Sequence, residues 1–308
     1  MMKPTDQTRP SSRRGASGAW NRLRPPPTRE GGLDSYGLPS KGETRLNDFK
    51  TQETYYGRIV ERYMKITGTT KELEKVFASF STPSTSLVVT PSSSTDTLTA
   101  LPGLAPKPAH PTMEELSTVL AAMRRLREAM VATARIDQFA QRAYMLNVHA
   151  AILCKDWESY HPALVSLLNA IHPHTPLTHS QLHEYVGMLI LDQACRQGDL
   201  ATARETRVRY KYKDRRVDMV LKALVDDNWV VFWKMKKAVN GYQRRIMEFS
   251  EQDVRLHALK CIGRSYMSAD KRYVERCADR QWTDLVEDGV GWELTDMDKV
   301  LIKKPKAK

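Results

Sequence analysis

The densest group of metal-capable side chains in this sequence is His172, His174, His179 and His183. His179 and His183 are four apart, so a helix would present both imidazoles to one ion, as zinc sites require. No cysteine or suitably spaced acid completes the set, and His172 and His174 flank a proline in a turn, so the group reads as loop histidines. A second group has the residue types that handle phosphate. Arg204, Arg207, Arg209, Lys211, Lys213, Arg215 and Arg216 straddle the end of one expected helix and the turn into the next, with Tyr210 and Tyr212 between them. Cations interleaved with aromatic rings can hold a nucleic-acid backbone and stack its bases. The same run also fits a solvated face whose cations complement a helix C-terminus. Lys234, Lys236, Lys237, Arg244 and Arg245 form a further basic group with the same two readings.

Beyond these groups the motifs of catalysis are missing: there is no P-loop, Gly-rich dinucleotide turn, His-Glu-x-x-His or Gly-x-Ser-x-Gly. An enzyme is therefore not expected, and neither is a cofactor, a metal or a small-molecule substrate. Cys154, Cys195, Cys261 and Cys277 are scattered without Cys-x-x-Cys spacing. They read as reduced, mostly buried thiols of a cytosolic or nuclear protein. The net charge of +12 over 308 residues favours anionic partners, RNA or acidic faces of other subunits, by raising encounter rates. No apolar run approaches the roughly 20 residues that span a bilayer.

The elements that must position these residues are helices. Residues 1–42 are rich in Arg, Ser, Pro and Gly and are expected to be disordered; Pro25-Pro26-Pro27 and Gly31-Gly32 argue against a transit-peptide helix. Residues 43–80 predict a helical arm, with Leu46, Phe49, Tyr56, Ile59, Val60 and Tyr63 near helical spacing and a second short helix over 71–80. The arm either folds back on its own chain or binds a partner. Residues 81–111 form a Ser/Thr/Pro-rich linker. From 112 to 267 the pattern is continuously helical, opened by the capping box Thr112-x-x-Glu115. Ile136, Phe139, Ala143, Leu146, Ala150 and Leu153 define one helix face. Asp156, Thr178, Asp199, Asp214, Asn228 and Ser250 stand where helix caps belong, and Gly198 where a helix stops. Pro162 should kink its helix or mark its start. Trp229, Phe232 and Trp233 read as core between helices. Short helices joined by short turns are the signature of a repeat stack.

The chain then changes character over residues 268–304. Trp282, Leu285 and Val286 mark one face of a short helix, ended at Gly289 and Gly291. Trp292-Glu293-Leu294 and Val300-Leu301-Ile302 alternate like two strands around a turn at Asp296–Asp298. Helix plus hairpin is the layout of a winged helix, and residues 305–308 add a basic tail. The expected fold is all-α: a right-handed α-solenoid of irregular helical pairs capped by a C-terminal winged helix.

Those features together resemble the PCI superfamily. The likeness is carried by Lys155-Asp156-Trp157-Glu158-Ser159-Tyr160, Leu164 to Leu168, His183-Glu184-Tyr185-Val186-Gly187, Gly198-Asp199-Leu200-Ala201, Asn228-Trp229 through Phe232-Trp233-Lys234, and the Arg255 to Tyr266 stretch. Within the superfamily the chain is similar to the small-subunit branch that joins signalosome subunit eight, a non-ATPase proteasome-lid subunit and subunit k of translation initiation factor 3. A sister resemblance is to the mRNA-export scaffolds related to germinal-centre-associated nuclear protein. The basic N-terminus and tethered arm depart from the small lid-type pattern. The resemblance implies a non-enzymatic scaffold in the cytoplasm or nucleus. It would pair with other PCI-type or helical subunits through the strand edges of Trp292, Glu293, Leu294, Val300, Leu301 and Ile302. The alternative is an RNA-associated adaptor that uses the cations from Arg204 to Arg216.

Overall fold

The computed structural model describes residues 32–67, 113–295 and 297–303. The expected helix over 71–80, the linker, Thr112 and the basic tail beyond Lys303 lie outside these residues. The described chain is mostly helical, with one small antiparallel sheet near its end.

Helix α1 (Phe49–Thr67) packs on α2 (Met113–Ala132), which in turn packs on α3 (Gln138–Leu153). Residues expected in a disordered tail and a tethered arm thus enter the main core. Leu46, Tyr55 and Ile59 are fully buried in the same cluster as Val119 and Leu126 of α2. Leu33–Ser35 and Pro39–Lys41 are short 3-10 turns, and Leu33 O accepts from Tyr55 Oη at 2.7 Å and from Arg125 Nη1 at 3.1 Å. Arg135 stitches the α1, α2 and α3 region. Its guanidinium sits over the rings of Phe49 and Phe139, reaches Glu53 at 2.6 Å and Asp137 at 2.9 Å, and donates to Phe49 O. Sequence periodicity reveals that α1 has an apolar face, but not which surface will cover it.

Helices α4 (Trp157–Ser166) and α5 (His179–Leu191) each pass at their C-terminal end into a π turn, Leu167–Ile171 and Asp192–Arg196. Pro162 is accommodated inside α4 rather than starting it. In α5, Tyr185 to Leu191 are buried without interruption, so this helix is surrounded on all sides. Then come α6 (Leu200–Arg209), α7 (Arg215–Val225), α8 (Trp229–Ala238), α9 (Gly241–Met247) and α10 (Glu251–Ser265). Side chains of Asp156, Thr178, Asp199, Asp214 and Asn228 accept backbone N–H groups at their helix starts, each closing a donor the helix cannot satisfy itself. Ser250 does not: its hydroxyl donates to Cys195 O at 2.7 Å, a buried tertiary bond. Gly198 holds φ of 70°, the left-handed turn that separates α5 from α6.

Most helices touch their neighbours in sequence, but α9 reaches back onto α3 and α5. Arg245, buried on α9, donates to Leu153 O at 3.0 Å and pairs with Glu248 at 2.6 Å. A small second core lies beyond α10 and consists of Val274, Ala278, Trp282, Leu285 and Val300, with Leu259 of α10 against it.

Candidate functional site: the C-terminal unit and the basic turn

The C-terminal unit runs β1 (Ser268–Asp270), α11 (Lys271–Ala278), α12 (Trp282–Glu287), β2 (Glu293–Leu294) and β3 (Lys299–Leu301). Asp270 caps α11 by accepting from Tyr273 N, and Gly289, with φ of 94°, turns the chain out of α12. Trp282 and Leu285 are buried, whereas Val286, expected on the same face, is exposed. The two expected strands do pair: Glu293 stands opposite Leu301 and Leu294 opposite Val300. Trp292 and Ile302 fall just outside the strands but pack on the second core, and the Trp292 ring lies close to Gly263 of α10.

The sheet order is β1-β3-β2, which corrects one part of the sequence reading. Val300 and Leu301 were expected to offer a strand edge, yet β3 is paired on both sides: Ala269 stands opposite Val300 on β1, and Leu294 opposite it on β2. Val300 is fully buried, so β3 is the centre of the sheet. The outer strands are β1 and β2. Thr295 N donates to Lys299 O at 2.8 Å, so residue 295 faces β3. By antiparallel alternation Glu293 does the same, and the N–H and C=O of Leu294 point to the open side. Leu294 and Met297 also leave apolar surface exposed beside that edge. Strand β1 carried no sequence signal because Ser268-Ala269-Asp270 has no apolar alternation.

The unit is latched to the body at the C-terminus of α11. Trp233 Nε1 donates to Cys277 O at 2.9 Å and Arg255 Nε to Ala278 O at 2.9 Å. Lys237 pairs with Asp279 at 3.1 Å and Lys236 with the same carboxylate at 3.5 Å. Cations and an indole donor meeting the last carbonyls of a helix complement its negative end. Trp233 is thus core, as expected, and also a fastening. The basic group of Lys236, Lys237 and Arg245 is largely engaged within the fold, with Arg244 Nε on Lys236 O.

The other basic group divides. Arg207 pairs with Asp218, its Nη2 donating at 2.8 Å, and Arg216 pairs with Asp214 at 3.1 Å while donating to Ala238 O. Tyr212 is buried, with its ring stacked on His183 at 4.3 Å between centroids, and cannot receive a base. That corrects its place in the stacking surface; a buried tyrosine and an exposed one look alike in sequence. Arg204, Arg209, Lys211, Lys213 and Arg215 are exposed and form no ion pair among the described residues. Lys211 itself occupies a left-handed turn, φ 49°, between α6 and α7.

The histidines do not converge. His172 Nδ1 accepts from Leu177 N at 3.1 Å, and His183 Nε2 lies 3.1 Å from Lys213 O. Among the described residues no His, Cys, Asp and Glu group has metal-site geometry.

One polar constellation escaped the sequence reading. Asp192, fully buried at the start of the second π turn, accepts from Tyr160 Oη at 2.5 Å, Arg196 Nε at 2.6 Å, Arg196 Nη2 at 2.8 Å and Gln197 Nε2 at 2.9 Å, and meets His161 Nδ1 at 2.9 Å. Burial alone would raise the Asp192 carboxyl, but these bonds, Arg196 foremost, outweigh it and hold the group well below the usual carboxylate range. The cluster joins α4 to α5 through the buried carboxylate, with the partly exposed His161 ring on it through Nδ1.

No protein-family model matches the chain, and no curated protein matches it.

Proposed function

We propose that the protein is a non-enzymatic scaffold subunit of the PCI type, with a helical body stacked as an irregular right-handed solenoid and a C-terminal unit that acts as a winged helix. The observation that supports this most is the free side of β2. It is an edge with outward backbone groups at Leu294 and apolar surface at Leu294 and Met297, on a unit fastened to the body by Trp233, Arg255 and Lys237. A partner strand added there would gain main-chain hydrogen bonds while its side chains set specificity. The partners of this reading are other helical or PCI-type subunits of one complex, of the lid, signalosome or initiation-factor class.

The test is Leu294→Pro in the full chain, because proline on an outer strand removes an outward donor without breaking the ladder to β3. Tagged wild-type protein should co-purify with a stoichiometric set of subunits identified by mass spectrometry, and the variant should lose them while keeping its helicity. An unchanged set of partners would count against assembly through this edge. Leu301→Pro is the wrong probe, since it breaks the central strand.

A second reading, an RNA-associated adaptor, is favoured by the exposed Arg204, Arg209, Lys211, Lys213 and Arg215 at the α6–α7 turn. It expects RNA affinity that falls steeply with salt and weakens when Arg209, Lys213 and Arg215 are reversed in charge. Arg207 and Arg216 are excluded from that test because their pairing to Asp218 and Asp214 is structural.

A further inference from the structure

On a chain of strongly positive net charge, one groove is lined by unopposed carboxylates. It lies where the second π turn and the start of α6 face the α7–α8 turn and α10, and it encloses about 520 Å³. Its floor is apolar: Leu200, Leu224, Trp229, Phe232 and Val254 line it. The rim holds Asp227 and Asp253, both exposed and without an ion pair among the described residues. Of the two basic side chains in the lining, Arg196 is engaged by Asp192 at 2.6 and 2.8 Å and lies over the exposed Trp157 ring, and His257 sits with its ring 5.8 Å from that of Trp229. Val225, Val230 and Leu256, on the helices that line the groove, are exposed. The Trp229 Nε1–H is buried without an acceptor among the described residues, an unmet demand in the groove wall.

We infer that this groove is a docking site for a cationic amphipathic peptide segment of a partner protein, one that seats a large apolar side chain beside Trp229 and sets Lys or Arg against Asp227 and Asp253. The size suits a few side chains and lies within the range of built ligand pockets, about 300–1,000 Å³. A partly exposed tryptophan in an apolar recess ringed by charge is the arrangement that concentrates binding energy at interfaces. Charge complementarity selects the occupant: carboxylates at the rim repel nucleic acid and acidic peptides and steer a basic segment inward. The groove is built from other elements than the β2 edge, so it stands whether or not that edge assembles.

The experiment uses the full chain and two fluorescein-labelled synthetic helical peptides. Both carry Leu and Phe on one face; the other face is Lys/Arg in one and Glu in the other. Fluorescence anisotropy should show saturable binding of the cationic peptide and none of the acidic one. Asp227→Lys with Asp253→Lys, both exposed and outside the core, should keep the far-ultraviolet spectrum, weaken the cationic peptide by at least about tenfold and bring in the acidic one. Trp229→Ala should weaken the cationic peptide at unchanged rim charge. The inference is overturned if the wild type binds neither peptide saturably. It is also overturned if the charge-reversed protein holds the cationic peptide as tightly as before.

Discussion

Gly187→Ala sets two opposite effects against each other at one atom. Gly187 is buried in the middle of α5, and a Cβ built on it would lie 2.5 Å from Tyr212 Oη, 3.1 Å from Tyr212 Cζ and 3.1 Å from Gln243 Nε2. Helix propensity by itself favours alanine over glycine by about 1 kcal/mol. Inserting a methyl into a packed site costs about 1–3 kcal/mol, and here the upper end applies, because relief requires the whole tyrosine ring to move. That ring is buried and stacked on His183, so its movement disturbs the α6–α7 turn as well. The net expectation is destabilisation of about 1–2 kcal/mol. Urea unfolding followed by circular dichroism measures it, with unchanged m-values marking an effect on stability alone. Adding Tyr212→Phe removes the nearest atom and should recover part of the loss, a coupling a double-mutant cycle resolves. A Gly187→Ala protein as stable as wild type, or more so, would refute the tight approach of α5, the turn and α9.

Three further outcomes test the same architecture. Asp192→Ala should cost about 1–3 kcal/mol at neutral pH, since it leaves the buried Tyr160 Oη without its acceptor and the half-buried Arg196 without its partner. Because the folded Asp192 carboxyl is depressed, the wild-type advantage is complete above the unfolded value of about 4 and shrinks as pH falls towards the folded one; a gap constant down to pH 2 would contradict this. Trp233→Phe removes one buried hydrogen bond to Cys277 O, worth about 0.5–1.5 kcal/mol, and should speed amide exchange in α11 more than in α5. Burial pushes the Cys154 and Cys195 thiols up to about 12, so at pH 7.5 both should alkylate far more slowly than a free thiol; rapid labelling of the native protein would show that these sites are open.

What the sequence disclosed, and what it withheld, follows the range of the interactions involved. Asp156, Thr178, Asp199, Asp214 and Asn228 could be recognised as caps because each bonds a backbone group within three residues of itself. Ser250 has the same local pattern, but a carbonyl far away in sequence, that of Cys195, takes its hydroxyl. Tyr212 sits in a basic run that looks like a stacking surface, and only the packing of His183 and α9 removes it from solvent. The hairpin of β2 and β3 was legible from its alternation. The third strand was not, and with it went the knowledge that Val300 lies at the centre. Arg135 and Asp192 gather partners from several helices, and no spacing rule anticipates such a set.

The two π turns also govern which changes of length the chain tolerates. A helix advances about 100° per residue, so each π turn absorbs one extra residue that would otherwise rotate all that follows. Deleting a single residue from Leu167–Ile171 or Asp192–Arg196 would let the helix relax to ordinary winding, and the downstream faces would keep their orientation only if the π turn closed cleanly. Insertions elsewhere in α4 or α5 lack that outlet. Relatives of this chain that differ by one residue in these helices should therefore carry the gap at Leu167–Ile171 or Asp192–Arg196, where counting can change without changing direction.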